Sequence, residues 1–160
     1  MKIDKRKDGS IHLTQPHLVD QIVKDLGQDN PKTLSKSTPA QSSKILLSHN
    51  QSDNFDKIFH YISVVGKLNY LEKCCRLDIA YATHQCACFS VNPERQHTIA
   101  LHHLGRYLKG NMDKGTIYFP NMYKFIEVHV YVDFARNWDK EDSENTNTAR
   151  SKHDFVISYN

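Results

Sequence analysis

The chain has 160 residues, of which 39% are hydrophobic and 24% charged, and its formal net charge is +3 at pH 7. These proportions are typical of a globular protein of one domain, or of one domain with part of another. No apolar run approaches the roughly 18 residues of a membrane helix, and the basic start lacks the apolar segment of a secretory signal. We therefore expect an intracellular protein, cytoplasmic or nuclear, with no membrane partner. The mild positive charge permits nucleic-acid binding without requiring it.

Residues 1–27 are predicted to form a β-hairpin followed by a helix. The sequence Lys7-Asp8-Gly9 favours a tight turn between two short alternating segments. Pro16 suits the first turn of the helix and Gly27 suits its end. Between them, apolar residues recur at helical spacing and form one stripe, which consists of Val19, Ile22, Val23 and Leu26.

The middle of the chain is predicted to be a linker followed by a cluster of three helices. Residues 28–54 are mostly polar, which is typical of a surface connection. After this linker, the apolar spacing predicts a helix from about 53 to 75 and another over 77–89. The Asn92-Pro93 pair is expected to supply the cap and the first residue of the third helix.

The last third of the chain changes from helical to alternating spacing. Strands are predicted over 116–119, 125–134 and 155–159, with a polar loop before the last of them. Valines at 128, 130 and 132 are expected to face the apolar residues of the final strand. The predicted fold class is α+β: a hairpin and helix, a three-helix cluster, and a small incomplete antiparallel sheet.

Basic residues gather at the start of the chain. Most basic hairpins are simply solvated, but contact with phosphates is the alternative interpretation. The residues are Lys2, Lys5, Arg6 and Lys7.

The cysteines and histidines are candidate metal ligands. The spacing of the cysteines lacks the C-x₂-C pairs of structural zinc sites, so we expect reduced thiols that fill the core. The cysteines are Cys74, Cys75, Cys86 and Cys88. His97, His102 and His103 are expected at the surface, with His102 and His103 as alternative phosphate contacts. We expect no complete metal site.

Six short segments form an ordered series of motifs. They are MKIDKRKDGSIHLTQPHLVDQIVKDL at the start, STP at 37–39, VGKLNYL at 65–71, RLDIAYA at 76–82, RYLKG at 106–110 and YVDFA at 131–135. In this order they resemble the part of copia-type retrotransposon Pol polyproteins where the reverse transcriptase continues into ribonuclease H. The resemblance covers essentially the whole chain. One departure is Leu77, which replaces the proline of the family's RPDIAYA.

The resemblance implies a domain organisation. Residues 1–27 correspond to the hairpin and helix after the polymerase palm, and 28–54 to a linker. Residues 55–120 correspond to the helical thumb and connection region. Residues 121–160 correspond to a truncated start of ribonuclease H, with a sheet of that type.

The resemblance also implies where catalysis takes place in the family. Carboxylates upstream of this region hold the Mg²⁺ pair that reverse transcription requires. Because the palm is expected before Met1 and further nuclease carboxylates after Asn160, we expect this fragment to be inactive alone and to need no cofactor. Asp133 corresponds to the first ribonuclease H carboxylate and is the single candidate catalytic residue. Arg136 departs from the family's DADFAG pattern.

Three basic residues are the candidate nucleic-acid contacts. The family places this region along the primer–template path, which implies phosphate contacts with an RNA–DNA hybrid or DNA from Arg106, Lys109 and Arg76. The other interpretation is structural: Arg106 and Lys109 complement a helix C-terminus, and Arg76 with Asp78 begins a helix. Beside the inactive Pol fragment, two alternatives stay open: a nucleic-acid-binding module, and an interaction domain that docks on a full-length Pol chain.

Overall fold

A computed structural model describes residues 1–41, 46 and 60–119 with their side chains, and the strands at 126–133 and 152–159 as backbone. The chain divides into two compact units, Met1–Tyr118 and Phe119–Asn160. The described residues form helices and small antiparallel sheets, which confirms the predicted α+β class. None of the helices in these ranges has the length and apolar character that a membrane span requires.

The first unit contains a three-stranded antiparallel sheet. Strand β1 (Lys2–Lys5) pairs with β2 (Ile11–Thr14) as predicted, and the turn between them uses Gly9 at φ 87°. A third strand, β3 (Thr116–Tyr118), pairs with the other edge of β2. The sequence predicted a strand in this region but gave no sign that it joins the hairpin about a hundred residues earlier.

The helices of the first unit pack around one hydrophobic core. The predicted stripe of the first helix is buried, and Gly27 follows that helix at φ 62°, as expected of a helix end. The largest apolar side chains that are fully buried in this core are Ile22, Leu68, Leu71, Ile79, Leu101, Leu104 and Leu108. The helices are α1 (Pro16–Asp25), α2 (Tyr61–Cys75), a 3₁₀ turn (Leu77–Ile79), α3 (Ala80–Ala87) and α4 (Arg95–Lys109).

The second and third predicted helical segments differ in different ways from the structure. One begins with a 3₁₀ turn, and the other can be compared with the prediction only from residue 60 onward. The predicted helix over 77–89 is a 3₁₀ turn followed by the shorter α3. Helix α2 begins at Tyr61, where His60 Nδ1 accepts the backbone N–H of Ser63 at 3.3 Å. The earlier part of the predicted helix, 53–59, lies outside the described residues.

The start of α4 also differs, and it corrects the placement of His97. Glu94 is the N-cap rather than Asn92, because Glu94 and His97 form a reciprocal capping box. His97 Nδ1 accepts the backbone N–H of Glu94 at 2.8 Å, and its ring stacks on Phe89 with centroids 3.8 Å apart. His97 is completely buried, so the expectation of a surface histidine was wrong for this residue.

The cysteines occupy different environments. Cys75 and Cys86 are buried in the core, Cys74 is half-buried and Cys88 is exposed. Burial raises the pKa of the Cys86 thiol to about 12, so this side chain is protonated at neutral pH. Cys75 and Cys86 therefore behave as small apolar core residues, as predicted, whereas the expectation of a core-filling role was wrong for the exposed Cys88.

The second unit contains two paired strands. Strand β4 (Ile126–Asp133) is antiparallel to β5 (Lys152–Tyr159), and Val128 and Val130 lie opposite Ile157 and Phe155. The predicted hairpin and two of its valine pairs are confirmed. The expectation was wrong for Val132, which lies opposite His153, and Tyr159 lies opposite Ile126. The relation of this hairpin to ribonuclease H stays a prediction.

Candidate nucleic-acid interface

Arg76, one of the three candidate phosphate contacts, is an internal residue. It is 1% exposed, and its Nε and Nη2 donate to the two carboxylate oxygens of Asp78 at 2.9 and 3.1 Å. Its Nη1 donates to the carbonyl of Asn111 at 2.9 Å, just beyond the end of α4. The guanidinium therefore ties the start of the 3₁₀ turn to the end of α4, and in this conformation it has a structural role rather than contact with a ligand.

Asp78 completes this arrangement, which we call the Arg76–Asp78 joint and define as Arg76, Asp78, Tyr107, Asn111 and Lys114. Tyr107 Oη donates to Asp78 Oδ2 at 2.7 Å, and Lys114 Nζ lies 3.2 Å from the same oxygen. Partial burial by itself raises the pKa of Asp78. The hydrogen bonds from Arg76, Tyr107 and Lys114 and the charge of Arg76 together outweigh burial and lower that pKa to about 2.

The joint predicts a particular loss of stability in acid. Because the pKa of Asp78 is about 2 in the folded state and about 4 in an unfolded chain, ionised Asp78 stabilises the fold above about pH 4. This contribution is lost as the pH falls through about 2. We expect the difference in melting temperature between wild type and Asp78→Asn to shrink as the pH is lowered from 4 to 2. A difference that stays constant over this interval would show that Asp78 does not contribute in this way.

Lys109, the second candidate, is held by the linker. Its Nζ donates to the backbone carbonyls of Gln28 and Asn30. These carbonyls follow the end of α1, so the ammonium joins the segment after α1 to the last turn of α4. Lys109 is therefore committed to internal hydrogen bonds, and its location at a helix C-terminus agrees with the structural interpretation.

The same segment packs closely on the middle of α4. Gln28 is 5% exposed, and its Nε2 donates to the carbonyl of His102 at 2.9 Å. A Cβ on Gly105 would lie 2.5 Å from both Leu26 Cδ1 and Gln28 Oε1, so this glycine permits the close approach. The single glycine inside α4 is the sequence signal for this contact, which was not among the predicted features.

His102 and His103 also lie against this part of the chain. Burial lowers the pKa of His102, and the nearby charge of Arg106 lowers it further. This shift disfavours the cationic form of His102 that a phosphate contact would use. His103 Nε2 lies 3.0 Å from the carbonyl of Thr38, at the STP motif.

Arg106 is the candidate contact whose side chain retains an unused donor. It is half-buried on α4, and within the part of the chain that the structure describes its Nε is buried without a hydrogen-bond partner. An unpaired buried donor is costly, but this nitrogen is shielded from solvent, so a phosphate reaches it only if the side chain rearranges. The structure thus separates the three candidates: Arg76 and Lys109 have internal partners, whereas Arg106 Nε has none among the described residues.

Asp133, the candidate catalytic residue, belongs to the second unit. It is the last residue of β4 and lies opposite Lys152 in the strand register. Asp139, Glu141 and Asp142, which could imitate a carboxylate cluster, lie outside the described residues. In the described ranges no group of three or more His, Cys, Asp or Glu residues is placed to hold a metal ion. The role of Asp133 stays a prediction.

No family model, curated protein or solved structure matches the chain. The resemblance to copia-type Pol polyproteins therefore rests on the six motif segments and their order along this sequence.

Proposed function

We propose that this chain is a scaffold segment of a copia-type Pol protein that binds and positions nucleic acid rather than carrying out the chemistry. The observation that supports this best is the Arg76–Asp78 joint. Two of the segments that carry the resemblance, RLDIAYA at 76–82 and RYLKG at 106–110, meet there through Asp78 and Tyr107, which are 29 positions apart. The side chains of these motifs therefore stabilise the fold, and this agrees with a scaffold role for the chain.

Arg106 is the residue that we propose to contact nucleic acid. A guanidinium donates charge-assisted hydrogen bonds to phosphate oxygens, and such contacts supply the sequence-independent part of nucleic-acid affinity. Arg106 stands one turn before the end of α4 and retains a donor at Nε. The ligand class is an RNA–DNA hybrid or DNA, as the resemblance implies.

The proposal predicts different consequences for Arg106 and Lys109. We expect Arg106→Ala to weaken binding of a labelled RNA–DNA hybrid and to reduce the slope of log affinity against log salt by about 1, with an unchanged melting temperature. Lys109→Ala removes the donor to two carbonyls, so we expect it to lower the free energy of unfolding by about 1.5–3 kcal/mol. Fluorescence anisotropy and thermal unfolding measure the two effects.

Arg95→Ala serves as the control, because Arg95 is exposed at the opposite end of the same helix. Binding that is unchanged in Arg106→Ala would remove Arg106 from the proposed interface. Mg²⁺-dependent primer extension or hybrid cleavage by the purified chain, abolished by Asp133→Ala, would contradict the scaffold role itself.

A further inference from the structure

We infer that the turn end of the N-terminal sheet is a second binding surface, specific for single-stranded nucleic acid. This hairpin surface consists of Lys5, Arg6, Lys7, Ile11 and Tyr118. The inference rests on the proposed function, which supplies nucleic acid as the ligand, but it concerns a surface away from Arg106 and a different form of the ligand.

The strand register places a cation, an apolar residue and an aromatic residue in one row. Lys5 is the partner of Ile11, and Ile11 is the partner of Tyr118. Directly paired residues in antiparallel strands lie on the same face, and neighbouring strands are about 4.8 Å apart. The backbone positions of Lys5 and Tyr118 are therefore about 10 Å apart, within reach of one short stretch of a bound strand.

The apolar part of this row is open to solvent. Tyr118 is 55% exposed and Ile11 is 39% exposed. In single-strand binding proteins, exposed aromatic rings on a sheet stack against bases, and this stacking tolerates any sequence. A duplex hides the faces of its bases, so a ring in this location discriminates in favour of a single strand.

The charges around the row favour a polyanion. Lys5, Arg6 and Lys7 are all exposed. Asp8 accepts hydrogen bonds from the backbone N–H and the hydroxyl of Ser10 at 2.9 and 2.7 Å, which lower its pKa, so it stays ionised beside Arg6. The three cations still outnumber this one acid.

The remaining acid of this hairpin is also paired. Asp4 forms an ion pair with Lys2 at 2.9 Å. Among the salt bridges of the described ranges, Lys5, Arg6 and Lys7 have no carboxylate partner. A protein partner would also cover an apolar row, but three cations at its edge are better matched to the phosphates of a nucleic-acid strand.

The test is the binding of a labelled single-stranded oligothymidylate, longer than about 16 nucleotides, to the full chain. We expect Tyr118→Leu to weaken binding about tenfold and Tyr118→Phe to retain it, because phenylalanine keeps the ring. Both variants keep an apolar residue in β3, so their melting temperatures should remain similar.

The cations are tested by a triple variant and a matched control. Lys5→Ala, Arg6→Ala and Lys7→Ala together should reduce the slope of log affinity against log salt by about 2, since each phosphate contact of a single strand contributes about 0.7. The control combines Lys32→Ala, Lys73→Ala and Arg95→Ala, which remove the same charge from exposed positions elsewhere. We expect this control to leave the slope at the wild-type value.

Three results would overturn the inference. They are wild-type affinity in Tyr118→Leu, an equal loss in the control triple, and equal competition by a duplex of the same length. If the wild type binds the RNA–DNA hybrid through Arg106 while the hairpin variants remain unaffected, only the hairpin surface is wrong. If the wild type binds no nucleic acid, the proposed function fails as well.

Discussion

Arg76→Ala is expected to lower the free energy of unfolding by about 3–5 kcal/mol, the usual cost of removing one partner from a buried ion pair. The side chain of Arg76 is 0% exposed and that of Asp78 is 25% exposed. Without the guanidinium, the Asp78 carboxylate keeps its partners Tyr107 and Lys114 but loses the bidentate ion pair with Arg76. The Asn111 carbonyl also loses its hydrogen-bond donor. Urea unfolding measures the change, provided that the m-value is unchanged.

Two comparisons make this result specific to the joint. Arg95→Ala removes an exposed arginine and is expected to change stability by no more than about 0.5 kcal/mol. Replacing Arg76 and Asp78 together by leucine should cost less than Arg76→Ala alone, because no unpaired charge remains. An Arg76→Ala variant as stable as Arg95→Ala would show that the joint contributes nothing to the fold.

Gly115→Ala is the second change with a large expected effect. A Cβ at this position would lie 1.9 Å from the backbone oxygen of Leu13 and 2.8 Å from Thr14 Cγ2. Because Leu13 pairs with Thr116, the clash is with the backbone at the start of the β2–β3 pairing, where side-chain rotation gives no relief. We expect a loss of about 3 kcal/mol or more in unfolding free energy, and faster amide hydrogen exchange in β3.

Gly66→Ala is the matched control with the opposite expected sign. Gly66 lies inside α2, and a Cβ there would meet nothing within 4 Å. Alanine is a better helix former than glycine, so this variant should be more stable than wild type by about 0.5–1 kcal/mol. A Gly115→Ala variant at least as stable as the wild type would contradict the close approach at Gly115.

The elements that local chemistry determines could be predicted from the sequence. Gly9 in the turn, Pro16 at the start of α1 and Gly27 after its end each serve a backbone requirement within a few residues. The alternating valines of β4 were likewise sufficient to predict their pairing with β5. In each case the signal and the structure that it specifies lie close together or repeat regularly.

The features that could not be predicted depend on distant contacts. The pairing of β3 with β2 and the hydrogen bond from Arg76 to the carbonyl of Asn111 join residues far apart in the chain. Neither contact produces a recognisable residue pattern in the sequence. The capping box of Glu94 and His97 is by contrast a local feature, and it was missed because Asn92-Pro93 is by itself a good helix start.

The candidate site shows the same limit. Sequence gives the charge and helical position of Arg106, Lys109 and Arg76 but not the groups that each contacts. Lys109 bonds to carbonyls that arrive from the segment after α1, and Arg76 bonds to a carbonyl beyond α4. Only the folded chain shows which of these cations have internal partners.

The central claim, that this chain binds nucleic acid, is tested most directly by one titration. The affinity of the wild-type chain for a labelled RNA–DNA hybrid is measured at a series of salt concentrations between about 50 and 200 mM. We expect log affinity to fall linearly with log salt, with a slope that corresponds to several phosphate contacts. An affinity that does not change with salt, or no binding at the lowest salt concentration, would contradict it.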